Sequence, residues 1–244
     1  MFDSIRETID YAVENNMSFA DIMVKEEMEL SGKSRDEVRA QMKQNLDVMR
    51  DAVIKGTTGD GVESVTGYTG HDAAKLRDYN ETHHALSGYE MIDAVKGAIA
   101  TNEVNAAMGI ICATPTAGSS GTIPGALFKL EKTHDLTEEQ MIDFLFTSAL
   151  FGRVVANNAS VAGATGGCQA EVGSGNALIS ADLALAGIES RIPVDEVIEA
   201  MDKVGRNLPA SLRETGLGGL AGTPTGEAIK RKIFGTAEDM VKNN

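Results

Sequence analysis

The sequence contains no tryptophan, and aromatic residues make up only 5% of its 244 residues. A core without large rings must be filled by aliphatic side chains and by close contacts between helices that carry small residues. The 26 glycines and 11 methionines are residues that suit such packing. The composition therefore excludes an aromatic-rich core and favours tightly packed helices.

Cysteine is also scarce, with only Cys112 and Cys168 in the chain. Two cysteines are too few for the disulfide framework of a small secreted domain, and their separation is not that of a Cys-x-x-Cys pair. A single cysteine is usually a small buried apolar residue. Cys168 follows Gly166-Gly167 in a glycine-rich turn, so it is the better candidate for a metal ligand, although one thiolate alone holds no metal.

Positive charge is in short supply as well: 22 lysines and arginines face 36 aspartates and glutamates, so the formal net charge is −14. This balance argues against nucleic acid and anionic membrane surfaces as partners, because both need clustered basic residues. No apolar run approaches the ~20 residues of a membrane span, and the acidic N-terminus lacks the pattern of a signal peptide. We expect a soluble, cytoplasmic metabolic protein.

Apolar residues recur at helical spacing along most of the chain. Capping boxes, in which two side chains exchange hydrogen bonds with backbone N–H groups, are predicted at Ser34–Glu37 and Thr137–Gln140. No segment shows an alternating run of β-branched residues, so the predicted fold class is mainly α. The predicted helices span residues 3–17, 18–32, 34–55, 71–80, 88–111, 123–132, 137–150, 176–187, 193–204 and 227–234.

Stretches of glycine, serine and threonine interrupt these helices. The central stretch, residues 114–125, has Gly118-Ser119-Ser120-Gly121 at its middle. Its small residues allow backbone N–H groups to wrap a small anionic ligand, and a helix that begins near Ile123 would favour negative charge there. A plain connector between two buried helices is an equally good interpretation.

The sequence has no Walker loop and no Gly-x-Gly-x-x-Gly pattern, so a nucleotide site has no support. Similar small-residue stretches occur at residues 56–70, 155–175 and 217–226. We predict a multi-helix globular domain in which the four Gly/Ser/Thr-rich loops converge on one pocket. Residues 1–55 are predicted to form an N-terminal helical arm beside a main domain of residues 56–244.

Few titratable residues stand out. Glu103, with Asn102 and Asn105, interrupts the apolar surface near the end of a predicted helix. These residues form either a buried functional cluster or a polar flank that faces water. His71, beside the 56–70 loop, is a weak acid–base candidate. Solvent-exposed loop positions are expected for the remaining histidines, His83, His84 and His134.

Several short motifs occur in the same order as in one known family. They are Ser64-Val65-Thr66-Gly67, Ala85-Leu86-Ser87-Gly88-Tyr89, Thr101-Asn102-Glu103-Val104-Asn105-Ala106-Ala107-Met108-Gly109, Cys112-Ala113-Thr114-Pro115-Thr116-Ala117-Gly118, Gly167-Cys168-Gln169-Ala170-Glu171-Val172-Gly173 and Leu212-Arg213-Glu214-Thr215-Gly216. On these motifs, and almost from end to end, the chain resembles the alpha chain of the bacterial iron–sulfur L-serine dehydratases, or L-serine deaminases.

The resemblance implies an L-serine ammonia-lyase, which converts L-serine to pyruvate and ammonia by α,β-elimination of water without PLP (pyridoxal phosphate). Family members hold a 4Fe-4S cluster by three cysteines and leave one iron open as a Lewis acid for the substrate hydroxyl. In two-subunit members the partner is a separate, smaller serine dehydratase beta chain, so we expect a homo- or hetero-oligomer.

The resemblance implies that Cys168, which matches a ligand position of the family, is one ligand of the cluster. The loops around residues 64–70 and 114–121 correspond to the walls that would hold the carboxylate and ammonium groups of serine. Candidates for the base that removes the α-proton are Glu103, His71 and Glu171. The implied substrate-binding residues are Ser64, Thr66, Gly67, Asn105, Thr114, Thr116, Gly118, Ser119 and Ser120.

The chain departs from the family pattern after Ser174. There the family has a segment of several dozen residues, whose Cys-Asp-Pro and Pro-Cys motifs supply the other two ligands, whereas here Ser174 leads through Gly175 to Asn176. Because Cys112 does not occupy a ligand position, the ligand set is incomplete.

Two explanations are open. In the first, which we favour, the segment belongs to the parent enzyme and is missing from this sequence near residues 174–176. In the second, the chain is a shortened, non-catalytic partner subunit or a small-metabolite binder. The first predicts a chain break or a short exposed bridge at residues 174–176.

Overall fold

The computed structural model describes residues 2–158, which form seven helices. No strand occurs in this part of the chain, where one isolated antiparallel bridge joins Glu63 and Gly70. The prediction of a mainly α fold is therefore confirmed. The helices are α1 (Ile5–Asn15), α2 (Phe19–Ser31), α3 (Arg35–Thr57), α4 (Asp72–Thr82), α5 (Tyr89–Ala106), α6 (Thr122–His134) and α7 (Glu138–Asn158).

Helices α3 and α7 begin at the two predicted capping boxes. Ser34 Oγ accepts a hydrogen bond from the Glu37 N–H at 3.3 Å, and the Ser34 N–H donates to Glu37 Oε2 at 2.9 Å. The Thr137 N–H donates to Gln140 Oε1 at 2.9 Å, and the Gln140 N–H donates to Thr137 Oγ1 at 3.3 Å. Each box satisfies backbone donors that a first helical turn leaves without partners.

Helix α5 ends at Ala106, so the prediction that it continues to residue 111 is wrong. Met108 adopts a left-handed φ of 61°. The Gly109 N–H donates to Val104 O at 2.8 Å, and the Met108 N–H donates to Asn105 O at 3.0 Å. This pair of bonds is a Schellman motif, which normally places glycine at the left-handed position. Because methionine occupies this position, the sequence gives no signal that the helix ends here.

Helix α5 packs against α3, α4 and α6 through backbones that approach very closely. A Cβ atom on Gly125 would lie 2.5 Å from Ala94 O, and a Cβ atom on Gly121 would lie 2.2 Å from Ala98 O. Only glycine permits such an approach. The expected close contacts between small residues are therefore confirmed around α5, which they hold in a fixed position.

A second set of contacts joins α7 to α2 and α3. Helix α7 contributes many apolar side chains to a core that it shares with the N-terminal helices. The predicted boundary at residue 55 falls within α3, and the division into arm and main domain stays a prediction. The largest fully buried aliphatic side chains are Val24, Leu46, Val104, Leu127, Leu150, Val154 and Val155.

No helix among residues 2–158 combines the length and the hydropathy that crossing a bilayer requires.

Candidate functional site

Three predicted substrate residues, Ser64, Thr66 and Gly67, lie in residues 62–71, which we call the hairpin loop. The Ser64 N–H donates to Thr69 O at 2.8 Å, and the Thr69 N–H donates to Ser64 Oγ at 3.2 Å. The hydroxyl oxygens of Ser64 and Thr66 are 3.2 Å apart. Ser64 is buried, whereas Thr66 and Gly67 are exposed, so the tip of the loop is the part open to a ligand.

The central stretch of the sequence forms a second loop, residues 112–121, which we call the serine–threonine loop. Thr114 Oγ1 donates to Ser119 O at 3.2 Å, and the Thr116 N–H donates to Ser119 Oγ at 3.3 Å. Ser119 and Ser120 are buried, while Gly118 is exposed. These hydroxyls hold the loop in shape, and the exposed turn at Gly118 faces solvent.

Helix α6 begins at Thr122, directly after the serine–threonine loop. Its N-cap residue, Gly121, has no side chain with which to cap the first turn. The loop therefore lies at the positive end of a helix dipole, as the sequence predicts for a helix that begins near Ile123. This end of the helix favours a negatively charged group.

Both loops contact the last turn of α5. The Val65 N–H of the hairpin loop donates to Ala106 O at 3.3 Å, and Ser120 Oγ donates to Asn102 Oδ1 at 3.4 Å. The partly buried Asn105 lies in the same turn. Convergence of all four loops on one pocket stays a prediction, because the other two extend beyond residue 158 or lie wholly beyond it.

Glu103, a candidate base, is buried and holds the start of α4. Its Oε1 accepts from the Asp72 N–H at 2.7 Å, and its Oε2 accepts from the Ala73 N–H at 3.4 Å. The N-cap residue of α4, His71, makes no side-chain cap. Glu103 therefore supplies from α5 the cap that α4 lacks in its own sequence, and both its oxygens are engaged.

His71, the second candidate base, has a left-handed φ of 65° and lies between the hairpin loop and α4. Its ring Nδ1 is 2.8 Å from Asp60 O. Because a carbonyl can only accept, we assign the proton to Nδ1, and in the neutral ring the lone pair is then on Nε2. The ring can accept a proton at that atom.

The described residues contain no group of three or more His, Cys, Asp or Glu side chains that could hold a metal ion. Cys112 is partly buried, and its Sγ donates to Asn45 O at 3.5 Å. Burial raises the pKa of the Cys112 thiol, whereas a metal ligand must lose its proton. These surroundings are those of a structural cysteine.

A cavity of about 300 Å³, which we call the apolar groove, lies between α3, α7 and the serine–threonine loop. Both Cys112 and Thr114 contribute to its wall. The remaining lining residues are Met42, Asn45, Met49, Ala113, Pro115, Ile123, Leu145, Ser148, Ala149, Gly152, Arg153 and Ala156.

Three predictions lie outside the described residues: the metal ligand Cys168, the candidate base Glu171, and the break or bridge at residues 174–176. The predicted helices and loops beyond residue 158 lie outside them as well.

The sequence model of the family described as "Serine dehydratase alpha chain" matches residues 14–181 and 175–221. The chain belongs to this family. The resemblance inferred from the short motifs is thereby confirmed.

Curated relatives agree with this membership of the serine dehydratase alpha chain family. The chain is 46% identical to "Probable L-serine dehydratase, alpha chain" of Bacillus subtilis over 97% of both chains. It is 33% identical to "L-serine dehydratase, alpha chain" of Peptoniphilus asaccharolyticus over 96% of this chain and 99% of that one. A 25% identical match to "L-serine dehydratase 2" of Escherichia coli covers 90% of this chain but only 61% of the relative.

Two features of these matches concern the extent of the matched regions. The alignment with the Bacillus subtilis protein spans 292 positions, more than the 244 residues of this chain, so it contains gaps on this side. The family model matches in two pieces that meet at residues 175–181.

The structure also identifies a residue that the set of predicted site residues omits. Asn102 accepts the hydrogen bond of Ser120 and so ties the serine–threonine loop to α5. Its neighbours in the last turn, Glu103 and Ala106, hold α4 and the hairpin loop. The signal in the sequence was the polar cluster at residues 102–105, but which loop each residue contacts depends on the fold.

Proposed function

We propose that this chain is the alpha subunit of an L-serine ammonia-lyase that converts L-serine to pyruvate and ammonia. The observation that carries the proposal is the match, over 97% of both chains, to a relative named as a probable L-serine dehydratase alpha chain. The reaction removes the α-proton and the β-hydroxyl of serine as water. The resulting enamine tautomerises to an imine, which water hydrolyses to pyruvate and ammonia.

The proposed binding site for serine lies at the last turn of α5, between the hairpin loop and the serine–threonine loop. A zwitterion of this size needs donors for its carboxylate and acceptors for its ammonium group at close range. The N-terminus of α6 supplies the positive end of a helix dipole beside Ser119 and Ser120. The Thr66 hydroxyl and the Asn105 amide are neutral polar groups that suit the ammonium group. Supporting residues in this proposal are Ser64, Gly67, Thr114, Thr116 and Gly118.

Of the two described base candidates, we propose that Glu103 positions α4 and that His71 is the better placed to move a proton. Both oxygens of Glu103 already accept backbone N–H groups, so neither is free to take up a substrate proton. His71 keeps Nε2 available once Nδ1 donates to Asp60 O. Glu171 remains the third candidate.

The family's 4Fe-4S cluster would supply a Lewis acid for the departing hydroxyl. The residues of this chain do not fit a complete cluster, because the family uses three cysteines and the chain has two. One of the two, Cys112, has the surroundings of a structural thiol. We propose that Cys168 is one ligand and that the missing ligands belong to a segment between Ser174 and Asn176.

The proposed partner is a serine dehydratase beta chain, and the proposed compartment is the cytoplasm. Support comes from the Escherichia coli relative, of whose length the match covers only 61%. A protein of that length carries in one polypeptide both the part matched here and a further part. The relatives matched over nearly their whole length are named as alpha chains, which supports a second, separate chain as the partner.

The proposal is tested by restoring the segment. The corresponding residues of the Bacillus subtilis alpha chain are inserted between Ser174 and Asn176, and the beta chain is added. After anaerobic reconstitution with iron and sulfide, we expect a brown protein that releases ammonia and pyruvate from L-serine. A matched Cys168→Ser chimera should bind less iron and release neither product. A brown chimera with no activity towards serine would contradict the proposal.

The second candidate function, a non-catalytic partner subunit, is favoured by the shortage of cysteines alone. It predicts that the unaltered chain associates with a beta chain and that the restored chimera gains no activity.

A further inference from the structure

A second cavity of about 300 Å³ lies between the end of α4 and the start of α5. It is lined by residues 80–85, 88 and 89, and we call it the helix-end cavity. It shares no lining residue with the apolar groove, and none of its lining residues belongs to the hairpin loop or the serine–threonine loop. Its volume is that of a site for a small ligand.

Asn80, in the wall of this cavity, carries a buried oxygen that lacks a partner. The residue is only 7% exposed. Its Nδ2 donates to Tyr89 O at 3.2 Å, whereas no residue in the described part of the chain donates to its Oδ1. Buried polar atoms in folded proteins are normally hydrogen-bonded. This wall of the helix-end cavity therefore favours a ligand that donates a hydrogen bond.

His83, the C-cap residue of α4, supplies a second acceptor. Its ring stacks on Tyr79, with ring centroids 4.6 Å apart and an angle of 4° between the planes. Thr82 Oγ1 donates its proton to Asp78 O at 2.7 Å, so it can only accept from His83 Nδ1, which is 2.8 Å away. We therefore assign the proton of the neutral ring to Nδ1, which leaves the lone pair on Nε2.

The backbone at the end of α4 adds oxygens rather than N–H donors. The His83 N–H donates to Tyr79 O at 2.9 Å. Among residues 2–158, no backbone N–H donates to the carbonyl oxygens of Asn80, Glu81 or Thr82. These last carbonyls of the helix carry the negative end of its dipole, which favours a positive charge.

The charged side chains at the helix-end cavity also favour a cation. The lining contains the exposed carboxylate of Glu81 and no lysine or arginine. Lys129 Nζ lies 5.3 Å from the centre of the Tyr89 ring, but its charge is paired with Glu90. Hard metal ions prefer oxygen ligands, so the imidazole nitrogen of His83 favours instead a cation with N–H donors.

We propose that the helix-end cavity binds a small organic cation that carries a primary ammonium group. A primary ammonium group has three N–H donors, and it donates to Asn80 Oδ1 and to His83 Nε2. The negative end of α4 stabilises its charge, and the ring of Tyr89 packs against its carbon atoms. This site is separate from the proposed serine site and does not depend on the proposed function.

An NMR titration of the full-length, isotope-labelled chain tests the proposal without any measurement of activity. The probe is methylammonium chloride, added at neutral pH and constant ionic strength. We expect saturable shifts of the Asn80 side-chain amide and the His83 ring resonances. Tetramethylammonium chloride carries the same charge but has no N–H donor, so it should shift neither set of resonances.

Two variants separate the acceptors. Asn80→Leu removes the buried oxygen at similar volume, and we expect the affinity for methylammonium to fall about tenfold, as for one hydrogen bond to a charged group. His83→Phe keeps a ring that can stack on Tyr79 but removes Nε2, and the affinity should fall several-fold. His134→Phe, at the exposed last residue of α6, is the matched control and should leave the affinity unchanged. If Asn80→Leu fails to fold, His83→Phe and the titration of the unaltered chain still decide.

Three results would overturn the inference. The first is the absence of a saturable shift at Asn80, which would indicate that water alone meets its oxygen. The second is an equal response to tetramethylammonium or potassium chloride, because the site would then recognise charge or a metal ion rather than N–H donors. The third is a set of shifts confined to Thr66 and Asn105, which would place the amine in the proposed serine site. None of these results bears on serine turnover by the restored chimera, so the proposed function is judged separately.

Discussion

The buried carboxylate of Glu103 has a structural role, because it caps the start of α4. Both of its oxygens face the first N–H groups of α4, and these groups have no other cap because His71 supplies none. The positive end of α4 further stabilises the charge. The residue therefore fixes α4 relative to α5, and with it the position of His71 and the hairpin loop.

Removal of this cap should be measurable. Glu103→Ala leaves a buried N–H group (Ala73) and a partly buried one (Asp72) without acceptors, so we expect a loss of about 1–3 kcal/mol in the free energy of unfolding. Glu103→Gln keeps one good acceptor and should lose less. Glu81→Ala, on the exposed side of α4, should change stability by less than about 0.5 kcal/mol. Urea unfolding of the three variants measures these differences, and an unchanged midpoint for Glu103→Ala would disprove the capping role.

Asp93 is a second buried carboxylate, in α5, and it pairs with lysines. It bonds with Lys96, and its Oδ2 lies 3.5 Å from Lys132 Nζ and 3.9 Å from Lys129 Nζ. Burial alone would raise the pKa of Asp93, but the hydrogen bond and charge of Lys96, with the other lysines, hold it below its ordinary value. The ionised form is therefore the one that stabilises the fold.

The sign of the pH dependence follows from this lowered pKa. Stability from Asp93 is fully present above its unfolded-state pKa, about 3.9, and is lost as the pH falls through the lower folded-state pKa. At neutral pH, Asp93→Asn should cost about 3 kcal/mol, because the partly buried Lys96 loses its carboxylate partner. The difference between wild type and variant should shrink below about pH 4. The exposed Asp51→Asn in α3 is the control, and a difference that persists at pH 2 would contradict this account.

At the scale of the helices, the contact between α5 and α6 depends on missing side chains. Gly125→Ala gains about 1 kcal/mol of helix propensity. Its Cβ would lie 2.5 Å from Ala94 O and 2.9 Å from the Ala98 backbone nitrogen. Backbone atoms cannot move aside as a flexible side chain can, and overpacking of this kind costs about 1–3 kcal/mol.

We therefore expect Gly125→Ala to lower Tm by several degrees despite its better helix propensity. Ala126→Ser, at the next and partly exposed position of α6, should have little effect and serves as the control. Because α5 also carries the contacts to both loops, the glycine variant should weaken L-serine binding to the same preparation. A rise in Tm would mean that helix propensity outweighs the close contact.

At the scale of the whole molecule, binding of serine and completion of the cluster depend on different residues. The proposed binding groups lie in the hairpin loop, the serine–threonine loop and the last turn of α5, all of which the chain contains. The cluster, by contrast, lacks two of the three cysteines that the family uses, because Cys112 does not occupy a ligand position. The unaltered chain should therefore bind the substrate without turning it over.

Thermal unfolding tests this separation. A ligand that binds only the folded state stabilises it by RT ln(1 + [L]/Kd), about 2.7 kcal/mol at a hundredfold excess over Kd. L-serine should raise the Tm of the unaltered chain, D-serine should raise it less, and no ammonia should be released. Thr66→Ala, at an exposed hydroxyl, should reduce the shift without changing the Tm of the free protein. Equal shifts with both enantiomers would indicate that the loops do not form a specific site.

The helical fold was predictable because its signals are local. The capping boxes at Ser34 and Thr137 specify helix starts within one turn, and apolar spacing specifies which face of each helix is buried. The end of α5 was not predictable, because the left-handed position that ends the helix holds Met108 rather than glycine. The hydrogen bonds that close the helix are between backbone atoms, so they leave no signal in the sequence. For the candidate site, the sequence showed the polar cluster at residues 102–105. It did not show that this cluster contacts the start of α4 and the serine–threonine loop.

By itself, then, the sequence determined the helices, the family and the shortage of cysteines, because these depend on residue order and composition alone. Only the tertiary structure decided that Glu103 caps a helix, that Asn102 holds a loop and that Cys112 lies in an apolar groove. Each of these facts depends on a contact between residues distant in sequence. Such contacts form only where two backbones can approach closely. Between α5 and α6 this approach depends on Gly121 and Gly125, and their role is evident only from the packing of the two helices.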